Sequence, residues 1–117
     1  MDDADLAANF KKMRRRYWTS KGLWIPDNVI VRFEKIKRRP FDIGKPSLLA
    51  ECDFPIIRIS PILKHVWVQV HMTLLHEMAH LYIGTVTDWN QRYNGHGKTF
   101  NDEIDRLYAL GAFRKLI

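Results

Sequence analysis

Apolar residues in the first eighteen positions recur at helical spacing. Residues 3–18 contain neither Gly nor Pro, and Leu6, Phe10, Met13 and Tyr17 are four, three and four positions apart. Because an α-helix turns once in about 3.6 residues, this spacing places all four side chains on one face. The pattern predicts an N-terminal helix. Its opposite face is basic and carries Lys11, Lys12, Arg14, Arg15 and Arg16.

Short β-type runs follow this helix. Residues 28–36 alternate in hydrophobicity, which is typical of a strand. Residues 47–52 and 54–60 are apolar, partly β-branched runs separated by Asp53 and Pro55, and they predict two short strands, with a hairpin as the simplest arrangement. We therefore expect a small three-stranded sheet.

Two further helices are predicted in the second half of the chain. Beyond Pro61, apolar residues at spacings of three and four predict a long buried helix that ends before Gly84, and residues 97–110 predict a final amphipathic helix. The apolar positions are Leu63, Val66, Trp67, Val70, Leu74, Met78 and Leu81 in the first and Phe100, Ile104, Leu107, Tyr108 and Phe113 in the second. The order helix, three strands, helix, helix predicts an α+β fold in which helices cover one side of the sheet.

Size and composition narrow the class of protein. With 46% hydrophobic and 27% charged residues, residues 1–117 are expected to form a single domain with one core. The acidic N-terminus and the lack of an apolar run near the ~20 residues that cross a bilayer predict an intracellular protein, cytoplasmic or nucleoid-associated, with no membrane partner. Cys52 is the only cysteine, which excludes an internal disulfide and a zinc site built from cysteines.

Positive charge is concentrated in the first part of the chain. The formal net charge is +6, and residues 1–45 hold twelve Lys or Arg against six Asp or Glu, whereas residues 46–117 hold seven of each. This asymmetry favours an anionic partner. Nucleic acid is the first candidate, followed by a phospholipid surface or an acidic protein. The alternative is that these residues are ordinary surface charges that contact only solvent. The candidate contacts are Lys11, Lys12, Arg14, Arg15, Arg16, Lys21, Lys35, Lys37, Arg38 and Arg39. Tyr17, Trp18 and Trp24 could stack on unpaired bases or pack in the core, and core packing is favoured for Tyr17.

The centre of the chain carries a pattern typical of a catalytic metal site. His76-Glu77-Met78-Ala79-His80 falls within the predicted long helix. Residues four apart on a helix are separated by about 40° around its axis and about 6 Å along it, so both imidazoles can bind one zinc ion. Glu77 lies beside the pair, where a carboxylate can take a proton from a metal-bound water. The alternative is a buried helix whose histidines form hydrogen bonds and whose Glu77 pairs with a basic group.

A catalytic zinc site needs a third protein ligand, because such sites hold zinc by three side chains and leave one position for water. His96, between Gly95 and Gly97 at the start of the last predicted helix, is favoured. Glu103 is its rival and Asp102 a weaker one. His65 and His71 lie off the face of the histidine pair and are predicted not to be ligands.

The segments around these residues resemble the SprT-like family, which includes the Spartan proteases. The resemblance rests on residues 74–82 and on Gly95-His96-Gly97-Lys98-Thr99-Phe100, and it covers about residues 60–113. It implies a compact zincin-like domain whose zinc ligands are His76, His80 and His96, with Glu77 as the catalytic base and Phe100 as a packing residue beneath the site. Eukaryotic members degrade proteins crosslinked to DNA, and many larger members carry a C-terminal zinc ribbon that this sequence lacks.

Together these observations predict a zinc-dependent endopeptidase that acts on DNA-bound or DNA-crosslinked proteins, with single-stranded or damaged DNA as a partner. A hydroxyl of Tyr82 or Tyr93 is a candidate to help hold the oxyanion. Two other functions stay open: a non-catalytic DNA-binding module with structural zinc, and a small zinc peptidase with no role at nucleic acid.

Overall fold

Three helices and a three-stranded sheet make up the described part of the chain. The computed structural model describes residues 2–19, 24–36, 49–86 and 98–113. In chain order the elements are α1 (Asp3–Tyr17), β1 (Ile30–Phe33), β2 (Ala50–Asp53), β3 (Ile56–Ile59), α2 (Trp67–Val86) and α3 (Lys98–Ala109). The predicted α+β class and the predicted order of elements are confirmed.

Helix α1 begins with a reciprocal capping box. The Asp5 backbone N–H donates to Asp2 Oδ1 at 2.9 Å, and the Asp2 backbone N–H donates to Asp5 Oδ2 at 3.0 Å. These bonds satisfy N–H groups that the helix itself cannot pair. All four residues of the predicted apolar face are buried: Leu6, Phe10, Met13 and Tyr17. The backbone N–H of Phe33 donates to Asp3 Oδ1 at 2.9 Å and joins the start of α1 to β1.

The sheet has β3 at its centre, parallel to β1 and antiparallel to β2. Val31, Ile57 and Cys52 lie in register across the three strands, so their side chains share one face. Val31 and Ile57 are buried in the core, and Cys52 packs against it. Helix α1 contacts β1, and α2 contacts β2 and β3. The helices therefore cover this apolar face, as the sequence predicts.

The strands differ in length from their predictions. The hairpin expected within residues 47–60 is confirmed by the antiparallel pairing of β2 with β3. The strand expected over residues 28–36 is limited to Ile30–Phe33. This length matches that of β3, whose four residues pair one to one with those of β1. A strand persists only where a neighbouring strand supplies hydrogen bonds, so β3 limits the length of β1.

The other face of the sheet, which we call the polar face, is held by ion pairs centred on β3. It carries Arg32, Glu34, Glu51, Asp53 and Arg58. The Arg58 guanidinium donates to the carboxylates of Glu34 and Glu51, and the second of these bonds measures 3.1 Å. One arginine on the central strand thus binds residues of both outer strands.

Helix α2 starts later and ends later than its pattern predicts. A 3₁₀ turn at Pro61–Leu63 precedes it, and Leu63 is buried there. Within the helix the predicted apolar stripe is buried from Val70 onward, whereas Trp67 is 46% exposed. The predicted end before Gly84 is wrong, since the helix continues to Val86. Gly84 is itself buried. A glycine costs a helix about 1 kcal/mol relative to alanine, which the packing of a long helix can offset.

A glycine in the left-handed region follows the end of helix α3. Gly111 has a φ of 79°, and the backbone N–H groups of Gly111 and Ala112 donate to the carbonyls of Tyr108 and Leu107, each at 3.0 Å. Phe100, Leu107 and Phe113 are buried as predicted. Tyr108, predicted to be an apolar contact of the helix, is 54% exposed, although its ring lies 4.4 Å from that of Phe113. No helix in the described ranges is both long enough and apolar enough to span a membrane.

Candidate metal centre

Helix α2 brings the imidazoles of His76 and His80 together. Their Nε2 atoms are 3.2 Å apart, and the ring centres are 4.9 Å apart. Both side chains are partly exposed, on a helix whose neighbouring residues Leu75, Glu77 and Ala79 are buried. The predicted convergence of the pair on one point of the helix surface is therefore present.

The separation of the two nitrogens suits a shared zinc ion. Two nitrogens that each lie about 2.0 to 2.1 Å from a tetrahedral zinc are about 3.3 to 3.4 Å from one another. The distance of 3.2 Å between Nε2 of His76 and Nε2 of His80 agrees with that value. The same distance also suits a hydrogen bond between a protonated and an unprotonated ring nitrogen. The geometry fits two of the three ligands of a catalytic site.

The third ligand is not supplied by the described residues. Within residues 2–19, 24–36, 49–86 and 98–113, no group of three His, Cys, Asp or Glu side chains is arranged to hold a metal. His96, the favoured third ligand, lies outside these ranges and stays a prediction. Glu103 accepts hydrogen bonds from Arg106, and Asp102 forms an exposed ion pair with Lys98 at 2.8 Å. Neither rival carboxylate forms a metal-holding group with the histidine pair.

Glu77 is buried between the histidines and the sheet. Its side chain is 6% exposed, and burial raises its pKa to about 7, with the negative charge of Glu51 adding to the effect. A carboxyl group whose pKa lies near 7 can both accept and return a proton at neutral pH. The prediction that Glu77 is a proton carrier stays open, but its burial gives the residue a suitable pKa.

Phe100 of α3 covers one side of the histidine pair. Its ring stacks on His80 with centres 4.3 Å apart and planes 25° apart, and it meets His76 edge-on at 5.1 Å. The side chain is 5% exposed, so it is held inside the core. This contact limits the rotation of both imidazoles. Phe100 therefore packs at the site, in agreement with the family resemblance.

Tyr82 lies on α2 two residues after His80. Its side chain is half-buried, and its pKa is raised by burial and by the nearby carboxylate of Glu103, while Arg106 acts in the opposite direction. Its hydroxyl therefore stays protonated at neutral pH and can donate a hydrogen bond. Tyr93, the other candidate for the oxyanion, lies outside the described residues.

Cys52 is a neighbour of the site that the sequence does not predict. Burial raises the pKa of its thiol to about 12, and the charge of Glu77 is the next largest cause. The thiol is therefore protonated at neutral pH. No sequence signal identifies this neighbour, because the approach of β2 to α2 is a long-range contact that leaves no periodic pattern.

Most of the described basic residues that are candidates for contact with nucleic acid form a row on α1. Lys11, Lys12, Arg15 and Arg16 are exposed, whereas Arg14 is half-buried and its Nε donates to the carbonyl of Ile25 at 2.8 Å. Arg14 thus bonds the chain beyond α1 and is less available to a partner than the sequence predicts. Lys35 is exposed after β1. The candidates Lys21, Lys37, Arg38 and Arg39 lie outside the described residues.

Three aromatic residues near this row differ in exposure. Tyr17 is buried, as favoured from the sequence, and Trp24 is 53% exposed. Trp18 is fully buried, which contradicts a role as a stacking surface for bases. It closes the end of α1 and places its ring edge-on to Tyr17, with centres 6.2 Å apart.

The two remaining histidines lie away from the pair, as predicted. His65 is exposed before α2 begins. His71 is half-buried with its ring 5.2 Å from that of Trp67, and burial together with the charge of Lys12 lowers its pKa. This histidine therefore faces α1 and not the candidate centre.

Comparison with known proteins identifies a family for the chain. No curated protein and no solved structure gives a significant match to the chain. The SprT-like family matches residues 8–113, which include most of α1, the whole sheet, α2 and α3. Because this match spans nearly the whole sequence, the chain belongs to the SprT-like family.

Proposed function

We propose that this protein is a zinc-dependent endopeptidase in which His76, His80 and His96 hold the metal and Glu77 is the general base. The SprT-like family is generally associated with metallopeptidase activity and is typically zinc-dependent. The observation that carries the proposal is the 3.2 Å approach of two imidazole nitrogens next to a buried carboxyl group. A helix that only filled the core would have no need of this combination.

Zinc, when bound, supplies Lewis acidity that lowers the pKa of water to about 7 and polarises a peptide carbonyl. The protein supplies the proton transfers. Glu77 accepts the proton of the attacking water and returns it to the leaving amine, which its pKa of about 7 permits at neutral pH. Phe100 keeps solvent from one side of the imidazoles and restricts their rotation. The proposed donor to the oxygen on which negative charge develops is a hydroxyl of Tyr93 or Tyr82, the two candidates from the sequence.

The central test separates metal binding from catalysis. Glu77→Gln keeps the size of the side chain but removes the base, so zinc content by mass spectrometry should be unchanged while cleavage of an unfolded protein substrate is lost. His96→Ala should lose both zinc and cleavage. Asp53→Asn is a suitable control, because this exposed carboxylate pairs with Arg58 on the polar face and does not contribute to the pKa shift of Glu77. An active Glu77→Gln protein would refute the proposed mechanism.

The proposed substrates are proteins bound or crosslinked to DNA. The support is the row of exposed basic residues on α1, which binds phosphates without reading sequence. Trp24, which is exposed beyond α1, is the one described aromatic candidate still suited to stacking on an unpaired base. Single-stranded or damaged DNA is therefore the proposed partner.

This part of the proposal is tested by the salt dependence of DNA binding. Lys11→Gln/Arg15→Gln removes two exposed charges one turn apart on α1, and Arg32→Gln/Lys98→Gln removes two charges that are paired with carboxylates elsewhere. The first variant should reduce the slope of log K against log salt by about 2, whereas the control should leave it near the parental value. Equal slopes in both variants, with cleavage intact and unaffected by DNA, would instead favour a peptidase with no role at nucleic acid.

A further inference from the structure

A charged residue interrupts the buried face of α3. Phe100, Glu103 and Leu107 lie three and four positions apart, and none is more than 5% exposed. Glutamate is almost never buried to this degree unless it is paired. Arg106 Nε donates to Glu103 Oε1 at 2.8 Å, and a second guanidinium nitrogen donates to the same oxygen. The ion pair therefore explains how the carboxylate is kept inside the core.

Besides pairing with Glu103, Arg106 contacts the residue that follows α1. Its guanidinium carbon lies 5.6 Å from the ring centre of Trp18, which is fully buried. A cation at this distance from the face of an indole is attracted by its π-electrons. Both Glu103 and Arg106 also act electrostatically on Tyr82 of α2. Arg106 thus joins α3 to the residue that follows α1, and its contact with Trp18 opposes a movement of α3 relative to α1.

The Glu103–Arg106 pair lies one helical turn from Phe100, whose ring touches both histidines. The pair is internal to α3, where Glu103 holds the Arg106 guanidinium in place, so a movement of the helix separates Arg106 from Trp18. Because Phe100 belongs to the same helix, that movement also shifts its ring. We propose that Glu103 and Arg106 are positioning residues that hold Phe100 against His76 and His80 and so fix the orientation of the two imidazoles. Glu103 then belongs to the ion pair and is not the third ligand. This inference rests on the proposed zinc site.

Three variants test the pair, and a fourth variant serves as a matched control. Glu103→Gln removes the buried charge with little change in shape, Arg106→Met removes its partner, and Arg106→Lys keeps the charge without the planar fork. Asp102→Asn removes the carboxylate of the exposed Lys98–Asp102 pair on the same helix. Zinc affinity is measured by competition with a chromophoric chelator, and the ligand set by visible absorption of the Co²⁺-substituted protein. Thermal unfolding of the zinc-free proteins reports the stability change separately.

We expect Glu103→Gln and Arg106→Met to weaken zinc binding by about 10- to 100-fold, as supporting residues around metal ligands do. Arg106→Lys should recover part of that loss, and Asp102→Asn should bind like the parent. The Co²⁺ spectrum of Glu103→Gln should keep the parental band shape. A changed band shape would show that Glu103 is a ligand and overturn the inference. Lower thermal stability with parental zinc affinity would overturn it too, because the role would then be structural only.

A measurement on the zinc-free protein separates this inference from the proposed function. The stacked ring of Phe100 shields the ring protons of His80, so their NMR signals should lie upfield in the parent and in Asp102→Asn. These signals should move downfield in Glu103→Gln and Arg106→Met. Unchanged His80 shifts in both variants would overturn the positioning role even if zinc binds. A parent that binds no zinc would contradict the proposed function, and the NMR result would still decide whether the pair positions Phe100.

Discussion

Helices α1 and α3 are both amphipathic, but their buried faces differ in kind. The buried face of α1 is wholly apolar and consists of Leu6, Phe10, Met13 and Tyr17. The buried face of α3 contains Glu103 between Phe100 and Leu107. An apolar residue at the position of Glu103 would pack without any need for Arg106. The difference indicates that α1 is packed for stability, whereas α3 is also packed to hold a ring at a particular place.

The largest effect is expected from truncating the core of α1. Phe10 is 2% exposed, and Phe10→Ala should lower the free energy of unfolding by about 3 to 5 kcal/mol, because it removes buried surface and leaves a cavity. Urea denaturation of the zinc-free protein measures this loss. If α1 serves packing alone, the fraction that remains folded should bind zinc with parental affinity. A lower affinity in that fraction would break the distinction between the two helices.

Zinc itself should stabilise the folded protein. At a free concentration one hundred times the dissociation constant, it should raise the free energy of unfolding by about 2.7 kcal/mol, since the ligands are assembled only in the folded chain. Parent and Phe10→Ala should gain the same amount, and a chelator should remove the gain from both. A gain that differs between them would show that the packing of α1 reaches the metal centre.

A matched pair of smaller substitutions sharpens the comparison. Phe10→Leu and Phe100→Leu each remove part of a buried ring and should each cost about 1 to 2 kcal/mol in unfolding free energy. Only Phe100→Leu should weaken zinc binding, because only this ring contacts His76 and His80. Chelator competition on both variants gives the result. Equal zinc affinities in the two variants would show that Phe100, like Phe10, only packs the core.

The smallest effect is expected at the exposed start of α1. Asp2→Ala removes the cap that accepts from the Asp5 N–H, and it should lower Tm by less than Phe100→Leu does, with no change in zinc affinity. This hydrogen bond lowers the pKa of Asp2 below its ordinary value of 3.8. The stabilisation is therefore present above pH 3.8 and is lost as pH falls through the lower pKa of the folded protein. Parent and variant should accordingly converge in Tm as the solution is acidified below pH 3.8, as thermal scans across that range would show.

Features that depend on local periodicity are largely predictable from the sequence. The apolar face of α1, the β2–β3 hairpin and the approach of His76 to His80 arise from residues that are close in the chain, so spacing alone identifies them. The end of α2 is predicted wrongly because Gly84 is a helix-breaking signal only when packing does not oppose it.

Contacts between distant segments are beyond the reach of the sequence. Cys52 approaches Glu77 because β2 lies beneath α2, and Arg106 meets Trp18 because α3 returns to the end of α1. Neither contact produces a period in the sequence. Glu103 illustrates the same limit, since its residue type suggests a zinc ligand, whereas in the fold it forms an ion pair with Arg106.

The polar face of the sheet contributes to an uneven distribution of charge over the molecule. Among the described residues, it carries Arg32 and Arg58 against Glu34, Glu51 and Asp53, an excess of one negative charge, while the exposed basic row of α1 lies on the side of the sheet that the helices cover. A polyanion attracts the basic row and repels the polar face, which exerts a torque on a protein that comes within a Debye length of about 8 Å. On the proposal that DNA is the partner, the chain would therefore turn the basic row of α1 toward it before any side chain touches a phosphate.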